Sequence, residues 1–365
     1  MNSAALFSEV IEPLSDAFEP ANCDKYADLF SDILSREAGL DGAALRERYE
    51  RIRHPAPFAG DAEHVCVLSR VTLGADLAVT SVFLDAAKKR FPGARIYLVG
   101  PAKNYELFNG DPRIAHLPSP YLRQGELRER ISAGLAIRDL LPPGALLLDP
   151  DSRLSQLGLL PLVPAERHLF FESRGYGGNS TESMTALAQR WTREVLQVPD
   201  AVNYAATTAA PAYVAPRLIT LSLGVGENQA KRVADPFETE LLRVLTATGR
   251  PILADLGAGG EEEARVRKAI AADVSSSGRI NVWKGSFANF ASSIAASSLY
   301  LGYDSSGQHA AAVFGIPRIT VFAGFPNERF FARWQPEGRG PSHAIRASNA
   351  EDTLEKVRAS LAALL

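Results

Sequence analysis

Twice along this chain, apolar runs of four to seven residues alternate with amphipathic stretches, an order that parallel α/β sheets satisfy and few other folds do. The first series opens with VCVLS (Val65 to Ser69), followed after a Gly turn by a helical stretch from Asp76 to Phe91. Strands ARIYLV (Ala94 to Val99), ALLLD (Ala145 to Asp149) and HLFFE (His168 to Glu172) come next. Helices are expected inside Tyr121 to Leu141, near Leu154 to Leu162 and over Thr181 to Leu196. The second series has strands at Arg217 to Leu223, Pro251 to Leu256, Ile280 to Trp283, Leu299 to Tyr303 and Arg318 to Phe322. Its helices are expected over Pro236 to Thr248, Glu261 to Ala272, Phe287 to Ala296, Gly307 to Phe314 and Glu351 to Leu364. These are βα units, and they argue for parallel sheets.

Between the two series, PDAVNYAATTAAPAYVAP (Pro199 to Pro216) is rich in Ala, Thr and Pro and has no charge after Asp200, so it reads as a linker. The first sixty residues read as helix, with apolar residues at spacings of three and four in Lys25 to Glu37 and Leu40 to Ile52. The expected organisation is a helical extension over 1–63, doubly wound domains over 64–205 and 214–349, and a terminal helix over 350–365. Open α/β sheets bind ligands beyond the carboxyl ends of their strands, so a central cleft faced by both domains is the expected site.

At 365 residues and 46% hydrophobic content the chain can bury two cores. Lys+Arg 39 against Asp+Glu 42 leaves a net charge of -3, which argues against nucleic acid as the partner. Two cysteines, Cys23 and Cys66, form neither a zinc pattern nor a disulfide framework and read as buried or idle thiols. No run of about 18 apolar residues occurs, and the opening MNSAALFSEVIEPLSD lacks a basic leader, so a soluble cytoplasmic protein is expected.

Three loops of the second half follow strands and carry ligand-type residues. In SLGVGENQAKR (Ser222 to Arg232), Gly224 and Gly226 allow close backbone approach, and Lys231 and Arg232 bring positive charge suited to phosphate, or form a solvated basic pair. In DLGAGGEEE (Asp255 to Glu263), acids at a helix start either complement its dipole or, as at Glu261, accept from ribose hydroxyls. In YDSSGQHAAAVFG (Tyr303 to Gly315), Asp304, Ser305, Ser306 and Gly307 open a helix of small residues either as an anion site, with His309 in the first turn as a donor, or as a well-capped helix with a packed histidine. In the first half, Asp76 begins a helix directly after the first strand, as an N-cap or as a general base facing the cleft. Arg174, in the Gly-rich RGYGGNSTESM (Arg174 to Met184), is an acceptor-side candidate, or part of a plain loop.

At these residues the sequence resembles the family 9 glycosyltransferases, the group that includes the lipopolysaccharide heptosyltransferases. LGADLAVT and KKRFPGARIYLV match the opening of that family's acceptor domain, which places Gly74 on the acceptor side and Asp76 at the base. Lys231 with Arg232, and Asp304 through His309 to Ala312, fall on its donor-domain positions at the diphosphate, and Glu261 on the acid that holds the ribose. Two positions depart from the pattern: Ala75 separates Gly74 from Asp76, and Ser306 replaces a glycine. The similarity covers roughly residues 64 to 340, leaving the helical extension outside it.

The resemblance implies a GT-B fold, two Rossmann-like doubly wound domains facing a central cleft. It implies inverting transfer of a sugar, a heptose among them, from a nucleotide diphosphate sugar to a hydroxyl of a glycan or lipid-linked acceptor. Asp76 would deprotonate the acceptor, while Lys231, Arg232 and the helix after Asp304 stabilise the leaving diphosphate, with no metal and no cofactor. A lipid-linked acceptor implies peripheral contact with the inner membrane, for which Lys88, Lys89, Arg90, Arg123, Arg128 and Arg130 are basic candidates, or else scattered charges on solvated helices. The competing readings are another GT-B nucleotide-sugar enzyme, such as an epimerase, and a silent nucleotide-sugar-binding scaffold. An NAD-dependent dehydrogenase fits poorly, because no GxGxxG follows the first strand.

Overall fold

The computed structural model describes residues 6–122, 125–226, 228–257, 259–272 and 278–365. The chain divides into two compact units, Met1–Ala206 with Pro326–Arg333, and Thr207–Phe325 with Trp334–Leu365.

The first unit is built on five parallel strands, β1 (His64–Leu68), β2 (Arg95–Gly100), β3 (Ile114–Pro118), β4 (Leu146–Asp149) and β5 (His168–Phe170). They lie in the order β3-β2-β1-β4-β5, with Val65 opposite both Ile96 and Leu146. The chain winds outward from β1 to β3 and then returns to the other side of β1, so the winding reverses between β1 and β4. Helix Ser81–Arg90 covers this sheet, and Trp191 of helix Met184–Val195 packs on Phe83 and Phe171 at ring distances of 5.0 and 5.9 Å.

The helices of the N-terminal segment share this unit's core. Helix Pro20–Ala38 ends at Gly39, whose φ of 66° is the left-handed cap glycine accepts readily. Helix Gly42–Ile52 starts at Asp41, whose carboxylate accepts from the Ala43 and Ala44 amides at 3.0 and 3.1 Å. Their buried faces, Tyr26, Phe30, Leu34, Tyr49 and Ile52, join one apolar cluster with Leu68, Leu147 and Phe170 of the sheet.

The second unit carries six parallel strands, β6 (Ile219–Ser222), β7 (Ile252–Asp255), β8 (Ile280–Trp283), β9 (Leu299–Tyr303), β10 (Arg318–Phe322) and β11 (Ser342–Arg346). Their order is β11-β10-β9-β6-β7-β8, with the winding reversed between β6 and β9. Helix Ala350–Leu364, capped by Asn349, buries Leu354, Val357 and Leu361 in this unit's core.

Several elements differ from the sequence reading. Only a 3-10 turn, Arg153–Ser155, forms at the start of 154–162, and no α-helix follows it, because Gln156, Leu157 and Gly158 take φ of 50°, 55° and 88° in succession. β3 and β11 were not expected; both are edge strands with half-exposed polar positions. The segment around helix Glu328–Arg333 belongs to the first unit rather than to the second. There Arg333 donates to the carbonyls of Glu182 and Gly178 at 3.0 and 3.1 Å, and Phe330 packs on Phe18.

Candidate functional site

In the second unit, the loops after β6 and β9 meet where the winding reverses, the position at which open α/β sheets hold ligands. Lys231 stands at the end of a short 3-10 turn, Gln229–Lys231, and its Nζ lies 2.8 Å from Asp304 Oδ2 at the end of β9. Gly324 lets the loop after β10 close on that turn, since a Cβ there would meet the Ala230 carbonyl oxygen at 2.0 Å. Asp304 Oδ1 accepts from Gln308 Nε2 at 2.5 Å. Ser305 is the N-cap of helix Ser306–Phe314 by position, but its side chain makes no cap hydrogen bond. The amide donors of that first turn are therefore not satisfied by the cap, which is the arrangement that suits an anion. Gly302 and Gly307 make room for Tyr300, whose hydroxyl would lie 2.4 and 2.3 Å from a Cβ at each.

The other donor-side candidates are placed differently from one another. Gly226 has the left-handed φ of 60°. Gly224 leaves space for Glu262, whose Oε1 would meet a Cβ there at 2.4 Å, and Gly257 abuts the same carboxyl at 2.3 Å. Glu262, not Glu261, thus reaches the ends of β6 and β7, while Glu261 is exposed on the first turn of its helix. Glu263 is tied to Arg267 and Lys284 at 2.9 and 2.6 Å. Arg232 is engaged away from the helix opening, donating to Glu238 at 3.0 Å and Asp235 at 3.1 Å. His309 is buried with its ring edge toward Trp334, and burial pushes its pKa down to about 4, so at neutral pH it carries no charge. Asp255, at the end of β7, was not singled out from sequence; burial pushes its pKa up to about 6.

In the first unit, the reversal between β1 and β4 is closed by its own side chains. Ser152 Oγ donates to the Ser69 carbonyl at 2.5 Å, and Arg70 Nη1 donates to the Pro150 carbonyl and, at 3.0 Å, to Ser173 Oγ. Val71 and Asp151 hold φ of 61° and 66°, strained values for residues with a Cβ, in the two loops that meet there. Gly74 is buried in the short helical segment Leu73–Ala75. The extra residue at Ala75 is followed by a π-helical turn, Asp76–Thr80, whose wider winding accommodates an insertion.

Asp76 itself is 0% exposed. Oδ1 accepts from the Arg70 amide and Thr80 Oγ1, and Oδ2 from Ser69 Oγ and Asn104 Nδ2, all at 2.6 Å. Burial raises its pKa, against the four donors. Four hydrogen bonds fill the lone-pair directions of a carboxylate, so in this arrangement Asp76 holds the loop after β1 and has no free position for an incoming hydroxyl. Arg174 is likewise engaged: it is buried and pairs with Asp151 at 3.0 Å, with its Nη2 3.4 Å from Tyr49 Oη.

The basic residues considered for a membrane surface are largely occupied. Lys88 pairs with Asp111 at 2.6 Å, Lys89 with Asp85 at 2.9 Å, and Arg128 with Glu37 at 2.6 Å. Arg90 donates to the Gly60 carbonyl at 3.0 Å, and Arg123 lies outside the described residues. Among the described residues no helix is long and apolar enough to cross a membrane. Cys23 and Cys66 are buried, and burial pushes both thiols up to about 12.

No family model matches the sequence, and no curated protein does. Solved structures do share the fold. A family 9 glycosyl transferase from Veillonella parvula is similar with a TM-score of 0.58 at 14% identity, over 85% of this chain and 92% of that one. The E. coli heptosyltransferase WaaC, with ADP-2-deoxy-2-fluoro heptose, gives 0.55 at 14% identity, over 81% and 99%. The E. coli ADP-heptose lps heptosyltransferase II gives 0.53 at 16% identity, over 82% and 99%. The chain therefore has the GT-B fold expected from the family 9 resemblance, two Rossmann-like units on parallel sheets.

Proposed function

We propose that this chain is a glycosyltransferase of the heptosyltransferase type, which moves a sugar from a nucleotide diphosphate sugar to a hydroxyl of a glycan or lipopolysaccharide-type acceptor. The observation that carries the reading is the opening in the second unit where Lys231, Asp304 and the uncapped start of helix Ser306–Phe314 converge. A leaving diphosphate gains negative charge as its bond to the sugar breaks. A lysine held in place by Asp304 and a row of helix amides offers that charge a preorganised partner.

Glu262 and Asp255, at the neighbouring strand ends, are assigned to the ribose hydroxyls. The displacement is inverting: the acceptor oxygen bonds to the anomeric carbon as the bond to the diphosphate oxygen breaks, and the hydroxyl proton passes to a base. Lys231 and the helix supply the countercharge, so the reading calls for no metal. For Asp76 to be the base, one of its four donors has to withdraw. Asn104, from a separate element, is the donor whose loss leaves the Ser69 to Thr80 frame in place.

ADP-heptose in the named neighbours makes ADP-sugars the first donors to test. Incubation with ADP-, UDP- and GDP-sugars and a lipopolysaccharide core fragment should release one nucleoside diphosphate only when acceptor is present. A second reading, a donor-binding scaffold without transfer, is favoured by the saturation of Asp76. Tight nucleotide binding with no sugar transfer to any acceptor would establish it over the first.

A further inference from the structure

The chain leaves the second unit at Phe325, runs through helix Glu328–Arg333 in the first, and re-enters the second at Trp334. Six residues are too few for a helix to hold in water by itself, so this one depends on its anchors. Asn327 Oδ1 accepts from the Phe330 amide at 2.8 Å, and Phe330 packs on Phe18 with ring centres 6.2 Å apart. Arg329 donates to the Phe18 carbonyl at 2.5 Å and to Asn179 Oδ1 at 2.8 Å. Arg333 is buried and donates through Nη1 and Nη2 to the Glu182 and Gly178 carbonyls at 3.0 and 3.1 Å. Gly177 makes room for it, since a Cβ there would lie 3.3 Å from Nη2. The glycine-rich run after Arg174 is thus the seat of this helix.

Both ends of the same segment bear on Lys231 in the second unit. At one end, a Cβ at Gly324 would lie 2.0 Å from the Ala230 carbonyl oxygen, so the loop after β10 braces the turn Gln229–Lys231. At the other, the Trp334 carbonyl accepts from Gln308 Nε2 at 3.3 Å, and the Trp334 ring lies 6.0 Å from that of His309. Gln308 Nε2 also donates to Asp304 Oδ1 at 2.5 Å, and Asp304 Oδ2 accepts from Lys231 Nζ at 2.8 Å. A lysine on its flexible stem loses rotamer freedom when it is held, so whatever fixes its partners beforehand lowers the cost of binding a ligand. One segment fixes Lys231 from two sides, through its turn and through its carboxylate partner, and the middle of that segment is pinned in the first unit.

Resting on the donor reading for the role of Lys231, we propose that Arg333 is a positioning residue. By anchoring helix Glu328–Arg333 it holds Gly324 and Trp334, and through them the Lys231–Asp304 pair, in the arrangement that receives a diphosphate.

Hydrogen exchange tests the anchoring without a ligand. The Lys231 and Arg232 amides donate to the Asn228 and Gln229 carbonyls at 3.1 and 3.2 Å and report on the turn. Arg333→Gln should speed their exchange about fivefold or more, while the β7 amides of the same unit keep the wild-type rate. Arg329→Gln, at a half-buried position, should act in the same direction to a smaller extent and gives a second point should Arg333→Gln fail to fold. Arg48 is the matched control, a buried arginine of the first unit that donates to the Gly158 and Val163 carbonyls at 3.3 and 3.0 Å, outside the segment. Arg48→Gln should leave the Lys231 and Arg232 amides unchanged. Calorimetry with ADP, UDP and GDP adds the functional arm: Arg333→Gln should weaken binding of the one that wild type takes by about fivefold, with no further loss in a Lys231→Ala background. A wild type that binds none of the three would remove the donor reading, and the exchange rates would still decide the anchoring. Faster exchange confined to residues 326–333, equal acceleration by Arg48→Gln, or additive losses of affinity in the double variant would overturn the proposal.

Discussion

Asp76 and Asp304 each follow a strand at the reversal of a parallel sheet, and they do opposite things. Asp76 is enclosed by four donors from its own chain, between two loops pinned by Ser152 and Arg70. Asp304 meets Lys231 and Gln308 beside a helix start with no cap. A carboxylate whose lone pairs are all filled is architecture. One that orients a partly exposed lysine beside unsatisfied amides leaves its neighbours available to a ligand. The difference comes from what surrounds each acid: the first is packed by Ser, Thr and Asn side chains, the second by glycines and small residues that leave the backbone approachable.

The largest expected effect is on Asp76. Asp76→Asn replaces an acceptor by an amide that points donors at donors, and we expect a loss of about 3–5 kcal/mol in denaturant unfolding. A variant as stable as wild type, with transfer abolished, would instead make Asp76 the base and remove the contrast with Asp304. Next, Glu262→Gln should weaken nucleotide binding about tenfold, the equivalent of one hydrogen bond to a charged group, whereas Glu261→Gln should leave it unchanged. Equal effects at the two positions would dissolve the assignment to Glu262.

A smaller effect concerns Asp255, whose folded pKa of about 6 stands above its ordinary 3.8. An acid with a raised folded pKa binds its proton more tightly in the folded state, so its cost to stability is absent below about pH 4, grows as pH rises, and is complete above about pH 6. Asp255→Asn should therefore stabilise the chain by on the order of 1 kcal/mol at pH 8, and by nothing below pH 4. A gain independent of pH would mean that Asp255 is not held in the environment described.

The sheets were legible because their central strands are apolar runs that sterics and burial leave little choice about. The edge strands IAHLP and SHAIR carry His, Ser and Arg toward solvent and lack that signal. The run from Leu154 to Leu162 has leucines at helical spacing, yet its residues turn through left-handed φ values that no helix admits. Within the site, Lys231 and the Asp304 loop were readable from residue type and place. The choice among Glu261, Glu262 and Glu263 was not. Consecutive helical residues point about 100° apart, and only packing against Gly224 and Gly257 selects one. Nor does sequence separate Lys231, which faces Asp304, from Arg232, which Glu238 and Asp235 hold. The burial of Asp76 depends on Asn104, twenty-eight positions away in the chain, and on no local pattern.

The central claim is that the second unit's opening binds the diphosphate of a nucleotide sugar through Lys231. Calorimetry with ADP, UDP and GDP on the wild-type chain and on Lys231→Ala tests it directly. We expect one nucleotide to bind selectively and the variant to bind it about tenfold or more weakly, with unfolding stability changed by less than about 1 kcal/mol. No binding of any of the three, or equal binding by the variant, would contradict it.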